Sequence, residues 1–144
     1  MLRRLFSSDA ISVDFGLLVA RVGIGLSMLL FHGWGKITGG PETWARVGGN
    51  MENLGITVYP VVWGFLAAFA ESVCSSLLIL GVLFRPAAFL LAFTMMVAAT
   101  RHLSLPADSP ASGWSGASHA LEIMSIAICF LFTGPGRFSL TPRR

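Results

Sequence analysis

Charge is scarce in this chain. Only 12% of its 144 residues are Asp, Glu, Lys or Arg, against about 25% in an ordinary soluble domain. That leaves too little polar side chain to cover a water-facing surface, and a mean hydropathy of +0.74 says the same. Basic runs are missing as well, and the basic residues are not interleaved with aromatics, so the net charge of +3 gives no support for nucleic-acid binding. Cysteine is reduced to Cys74 and Cys129, with no CxxC. This excludes a disulfide framework, and both cysteines sit in apolar segments as expected of small buried hydrophobes. Period-two alternation is lacking, which excludes a transmembrane barrel.

What the chain does have is long apolar runs. A bilayer core about 30 Å thick needs roughly 20 apolar residues per spanning helix. Four segments approach that length, at about 14–33, 58–83, 86–101 and 117–133. The last two are short and should extend into the headgroup layer or thin the bilayer locally. Lipid offers backbone groups no hydrogen bonds, so the expected fold is all-α. It is an integral membrane four-helix antiparallel bundle, with residues 1–144 forming a single domain. The start, Met1-Leu-Arg-Arg-Leu-Phe, has a signal-peptide flavour. Asp9 and Asp14 interrupt it and no small-x-small cleavage site follows, so the first helix is expected to be retained.

The connections differ in kind. Residues 36–57 form a long loop in which Pro41 opens a short helix and Gly48-Gly49 end it. Trp44, Met51 and Leu54 suit it to the membrane surface. Phe84-Arg85-Pro86 makes a tight second connection, and residues 103–116 are rich in Ser, Pro and Gly. Four spans place both termini on one side, with Arg3, Arg4, Arg85, Arg137, Arg143 and Arg144. The other side has Lys36, Arg46 and Arg101. The positive-inside bias then puts both termini in the cytoplasm. Close helix contacts are expected at Gly16-xxx-Ala20, Gly23-xxx-Ser27 and along Gly64, Ala67, Ala68, Ser72 and Ser75.

Ionisable residues within the spans carry whatever chemistry there is, because a charge at mid-bilayer costs about 2.5–3.5 kcal/mol on insertion scales. Arg21 and Glu71 fall near the middle of the first two spans and suggest a buried pair, either structural or part of a polar site. His32, with Lys36 one turn on, His102, His119 and Glu122 all map to the outward side. His119 and Glu122 share one helix face. Three readings stand for this group: interfacial residues solvated by headgroups, a proton-exchanging pocket for a quinone-like ring, or a metal site. His-x-x-Glu is half of a di-iron helix motif and no second half accompanies it, so no metal ligands are assigned.

The order of several segments resembles the DoxX family. They are Arg21-Val-Gly-Ile-Gly, Phe31-His-Gly-Trp-Gly-Lys36, Asn53-Leu-Gly-Ile, Ala70-Glu71, Leu80-Gly-Val-Leu-Phe-Arg-Pro86, His102, His119-Ala-Leu-Glu122 and Thr133-Gly-Pro-Gly-Arg-Phe-Ser-Leu140. The resemblance implies a multi-pass protein of the bacterial inner membrane. Some relatives are linked to thiosulfate:quinone oxidoreduction and others to membrane oxidoreductase complexes that resist oxidative stress. It directs attention to Arg21, His32, Lys36, Glu71, His102 and Glu122. The leading expectation is a quinone-linked component of a membrane oxidoreductase system, with Glu71, His119 and Glu122 catalytic and Arg21, His32, Lys36 and His102 binding ligand. Quinone is the candidate cofactor. The expected partners are the lipid bilayer, an oxidoreductase subunit and further copies of the chain. The competing expectation is a non-catalytic scaffold or assembly protein, or a small-molecule permease.

Overall fold

The structure, a computed structural model, describes residues 11–141. The sequence expectations that rest on Arg3, Arg4, Arg143 and Arg144, and on the start of the chain, lie outside the described residues. Helices α1 (Val13–Thr38), α3 (Pro60–Leu80), α4 (Phe84–Ser104) and α5 (Gly113–Thr133) are each long and apolar enough to cross a bilayer. A shorter helix, α2 (Gly40–Gly48), leads into a 3₁₀ turn at Gly49–Leu54. No strand occurs among the described residues. The spans expected to be short are 21 residues each. α4 exceeds the expected span by Phe84 and Arg85 at its start and by His102, Leu103 and Ser104 at its end.

Local chemistry sets the ends of these helices. Ser12 caps α1 by accepting from the Phe15 amide at 3.2 Å. Gly81, at φ 71°, ends α3. The Val82 amide then reaches Leu77 O and the Gly81 amide reaches Leu78 O, at 3.0 and 3.2 Å, closing a Schellman motif. This sharp stop lets α4 start at Phe84, so α3 and α4 return on each other through three residues. At the far end of α5, Arg85 donates through Nε to the Leu131 carbonyl at 3.0 Å and satisfies one of the last free acceptors.

α4 and α5 form the most extensive pair. Their shared core comprises Ala87, Ala88, Leu91, Met95, Ala117, Ala120, Ile123, Ala127 and Phe130. Small alanines let the backbones approach, as expected where lipid supplies no hydrophobic push between helices. α1 packs on α3, though not through the glycines that spacing suggested. A Cβ placed on Gly16 or Gly23 would meet nothing within 4 Å, whereas Gly25 lies against the Ser75 carbonyl and Gly33 against the Glu71 backbone. On α3 the expected small residues do form contacts: Ala68, Ser72 and Ser75 are buried, and Gly64 presses on Trp44 of α2.

Both helices widen where they meet most closely. Met28–Gly33 of α1 and Ala70–Cys74 of α3 are π-helical turns, and they face each other. Serine hydroxyls serve the loosened carbonyls: Ser72 Oγ donates to Ala68 O at 2.6 Å and Ser76 Oγ to Ser72 O at 3.0 Å. Such turns insert one residue into a helix and re-aim the side chains beyond it. Here they set the directions of His32 and Glu71.

α2 and the turn after it do not float as a surface loop. Gly48 lies on the Pro60 carbonyl and Gly64 on the Trp44 carbonyl. Trp44 meets Phe65 edge-on at 5.1 Å and donates to Lys36 O at 2.8 Å. Met51 is buried. Of the three apolar side chains that suited this loop to a membrane surface, Trp44 and Met51 pack on the bundle and Leu54 stays exposed.

A methyl group at Gly33 has no room against the Glu71 carbonyl. Gly33→Ala should lower stability by about 1–3 kcal/mol, the range for overpacking, while Gly23→Ala on the same helix should be neutral or stabilising. Thermal melts of both variants in mild detergent check this.

Candidate functional site

A cavity of about 470 Å³ opens between α3 and α4 under α2. Its walls follow helical periodicity. Trp63, Leu66, Ala67 and Glu71 come from one face of α3, and Leu90, Phe93, Thr94, Val97, Ala98 and Arg101 from one face of α4. Arg46, Val47, Asn50 and Met51 form the cover, and Lys36 enters from the end of α1. Leu90 and Arg101 are eleven residues apart, so the cavity runs about 16 Å along α4, from its second turn nearly to its end.

Polar groups punctuate an otherwise apolar chamber: Lys36 and Glu71 beside the middle of α4, and Arg46, Arg101 and His102 toward its end. Lys36 Nζ donates to Glu71 Oε2 in a salt bridge. The Glu71 side chain is 3% exposed and that of Lys36 29%, so the carboxylate is buried and the ammonium reaches toward the opening. Arg46 at the rim, together with Arg101 and His102, adds further positive or hydrogen-bonding groups. His102 Nδ1 lies 2.7 Å from the Ala111 carbonyl. A carbonyl only accepts, so Nδ1 carries the proton, and in the neutral ring Nε2 is left as an acceptor. Against the cations Lys36, Arg46 and Arg101 the cavity holds one carboxylate. Its field favours oxygen-rich or anionic head groups.

The residues singled out from sequence divide between four places. Lys36, Glu71 and His102 meet at the cavity. His32 and His119 meet elsewhere, their rings stacked at 4.9 Å between α1 and α5, and neither lines the cavity. Glu122 is exposed on the outside of α5. The expectation that His119 and Glu122 act together with Glu71 is therefore not met by the geometry. Their helix turns a different face to the bundle, the one bearing Ala117, Ala120 and Ile123. Among the described residues no three His, Cys, Asp or Glu side chains converge as a metal site would require.

Arg21 has a different partner from the one its position suggested. It is 1% exposed and donates through Nη2 to the Phe138 carbonyl. Its Nε and Nη1 find no partner among the described residues. It lies beside Gly81, at the opposite end of α3 from the cavity. Gly33, which touches Glu71, is twelve residues further along α1, an axial separation of about 18 Å. Equal distance from the start of each span misleads here, because antiparallel neighbours are offset by their connecting loops. The Arg21 contact fastens the C-terminal segment. Leu140 N donates to Leu80 O at 3.0 Å, Thr141 Oγ1 to Gly81 O at 2.8 Å, and Arg137 N to Asp14 Oδ1 at 2.8 Å.

Two cavity residues, Arg46 and Arg101, do not stand out as site residues from sequence. A signal for them exists all the same. Lys36, Arg46 and Arg101 are the three cations assigned to the loop side, and all three line this one cavity. Counted by side alone, they mark only orientation.

Fold and site together define a polytopic helical membrane protein with a cation-lined chamber between two spans. The DoxX family model matches residues 16–103, and the chain belongs to the DoxX family. The matched stretch contains α1 to nearly the end of α4, and with them every cavity-lining residue; α5 lies beyond it. Comparison with curated proteins finds no match, and comparison with solved structures finds none either.

Removing one partner of a buried ion pair strands the other. Lys36→Met should cost about 3–5 kcal/mol, and the double variant Lys36→Met/Glu71→Leu should recover most of that loss in detergent unfolding. Arg21→Ala should also destabilise, but with no rescue by Glu71→Ala. The two effects should add within about 0.5 kcal/mol, as for separated sites.

Proposed function

We propose that the cavity is a binding site for a membrane-soluble quinone, and that the chain works as the quinone-handling component of a membrane oxidoreductase system. The observation that carries this reading is the Lys36–Glu71 pair in the wall of a long, largely apolar chamber. Pockets of this make-up, mostly apolar with a few convergent polar groups, suit ring-and-tail ligands.

A quinone supplies two-electron, two-proton chemistry when bound, its electrons coming from a partner oxidoreductase subunit. The chain's residues would meet the other requirements. Trp63, Leu66, Leu90, Phe93 and Val97 hold the apolar ring and exclude water. Lys36 donates a hydrogen bond to a head-group oxygen, and Arg46 and Arg101 supply positive potential where negative charge develops on reduction. Glu71, buried and within hydrogen-bond reach of Lys36, holds or releases the proton. His102 Nε2 offers a second acceptor on the path to the loop side. On this reading the membrane is the bacterial inner membrane, with both termini cytoplasmic and the Arg101–His102 end of the cavity toward the outer surface.

Extraction of the full chain in native lipid, followed by chromatography of the organic phase, tests the proposal. Quinone should accompany the wild-type protein in near-stoichiometric amount. Glu71→Gln and Arg101→Ala should each lower its occupancy about tenfold, the loss expected for one charge-assisted hydrogen bond. Asp108→Asn, in the loop away from the cavity, should retain it. Quinone-free wild-type protein that also fails to take up added quinone would leave the scaffold or permease reading in its place.

A further inference from the structure

One side of α5 presents polar groups to the lipid along nearly its whole length. Ser115, Ser118, His119, Glu122, Ser125 and Cys129 are all exposed. At 100° per residue they occupy a single arc of about 120°. The half-buried Ile126 is the one apolar residue between them. The serines are satisfied within their own helix, Ser118 Oγ donating to Ser115 O and Ser125 Oγ to Leu121 O, each at 2.8 Å. Glu122 has no such outlet: it makes no hydrogen bond or ion pair among the described residues. A carboxyl group nine residues into a spanning helix is not left facing acyl chains without a partner. α1 and α5, which meet at the His32–His119 stack, are also the two spans with the smallest share of their surface buried.

We propose that this face of α5 is the interface of a homodimer in the membrane, with His119 of each copy hydrogen-bonded to Glu122 of the other. The argument for a second copy is self-complementarity. A donor and an acceptor stand one turn apart on the same arc, and a two-fold axis along the membrane normal sets each opposite the other's counterpart, forming the bond twice. Both copies are inserted in the same direction, so the two α5 helices run parallel. His119 and Glu122 then differ in depth by about 4.5 Å, within reach of the two side chains. Serines flanking the pair keep the helices close, as small residues do in membrane helix contacts. The quinone cavity lies between α3 and α4, so the dimer leaves it open and the two proposals stand or fall separately.

Cys129 occupies the same arc and is free, while Cys74 is free but buried. This gives a test on the native full-length chain in its own membrane and in reconstituted vesicles. Mild oxidation with copper–phenanthroline should produce a species of twice the 15.4 kDa chain mass. That species should persist in Cys74→Ser and vanish in Cys129→Ser. In a protein-to-lipid titration, Glu122→Ala and His119→Ala should each weaken dimerisation about tenfold, and the double variant should lose little more than either. Three results would overturn the proposal. One is a monomeric mass by light scattering with no cross-link, although Cys129 reacts with a membrane-permeant maleimide. Another is a Cys129 cross-link to a different chain in native membranes, which would assign the face to a heterologous subunit. The third is a cross-link indifferent to both His119 and Glu122, which would remove the pairing.

Discussion

Lys36 and Glu71 can meet only because α1 and α3 cross at Gly33, where a side chain would strike the Glu71 backbone. Both helices loosen into π turns at this crossing. The turn in α3 directs Glu71 inward, and the turn in α1 precedes the final segment that carries Lys36. The ion pair is therefore tied to backbone geometry on both sides. In a bilayer the arrangement is self-enforcing. Separating the helices would strand a buried carboxylate and open two irregular stretches of backbone to lipid, which satisfies neither.

The rest of the chamber follows from that crossing. α2 is held against α3 by two glycine contacts and by Trp44, and so it carries Arg46 over the top. α4 returns tightly from α3 through the Gly81 stop, which brings Arg101 and His102 to the same level as α2. Four elements thus deliver charged side chains to the one cavity, between walls that are largely apolar. At the other end of the molecule Arg21 does a separate job, closing the C-terminal segment over the α3–α4 turn. The two cations of α1 are segregated, Arg21 fastening the fold and Lys36 facing the site.

Much of the fold is legible in the sequence because the bilayer imposes it. Four apolar runs, the Pro41–Gly48 helix and the tight return before Pro86 are all statements about length and backbone chemistry, which are local. The small residues of α3 are legible for the same reason. The site is legible only in part. Lys36, Glu71 and His102 stand out as polar groups in apolar surroundings, but their grouping depends on helix rotation and offset. Sequence spacing does not fix either. Arg21 and Glu71 look level because each lies partway along its span, while the long α1–α3 connection and the π turns shift the register. Glu122 draws attention for its cost in lipid, and that cost is real. What spacing does not show is that α5 turns Ala117, Ala120 and Ile123 inward and Glu122 outward. Cys129 follows the same logic: it sits in an apolar run yet faces out, unlike the buried Cys74.

The three loop-side cations bear on both orientation and chemistry, and the two demands oppose each other. Orientation favours few Lys and Arg on the translocated side, whereas a chamber that stabilises negative charge needs them there. Lys36, Arg46 and Arg101 all line the cavity, so on the proposed orientation the Lys and Arg residues of the outer side all belong to one chamber. None goes to a free loop: residues 103–116 between α4 and α5 contain Asp108 and no Lys or Arg. Three cations against one carboxylate give that chamber a positive potential. A bundle whose outward charges served only to be solvated by headgroups would have no reason to gather all three around a single void.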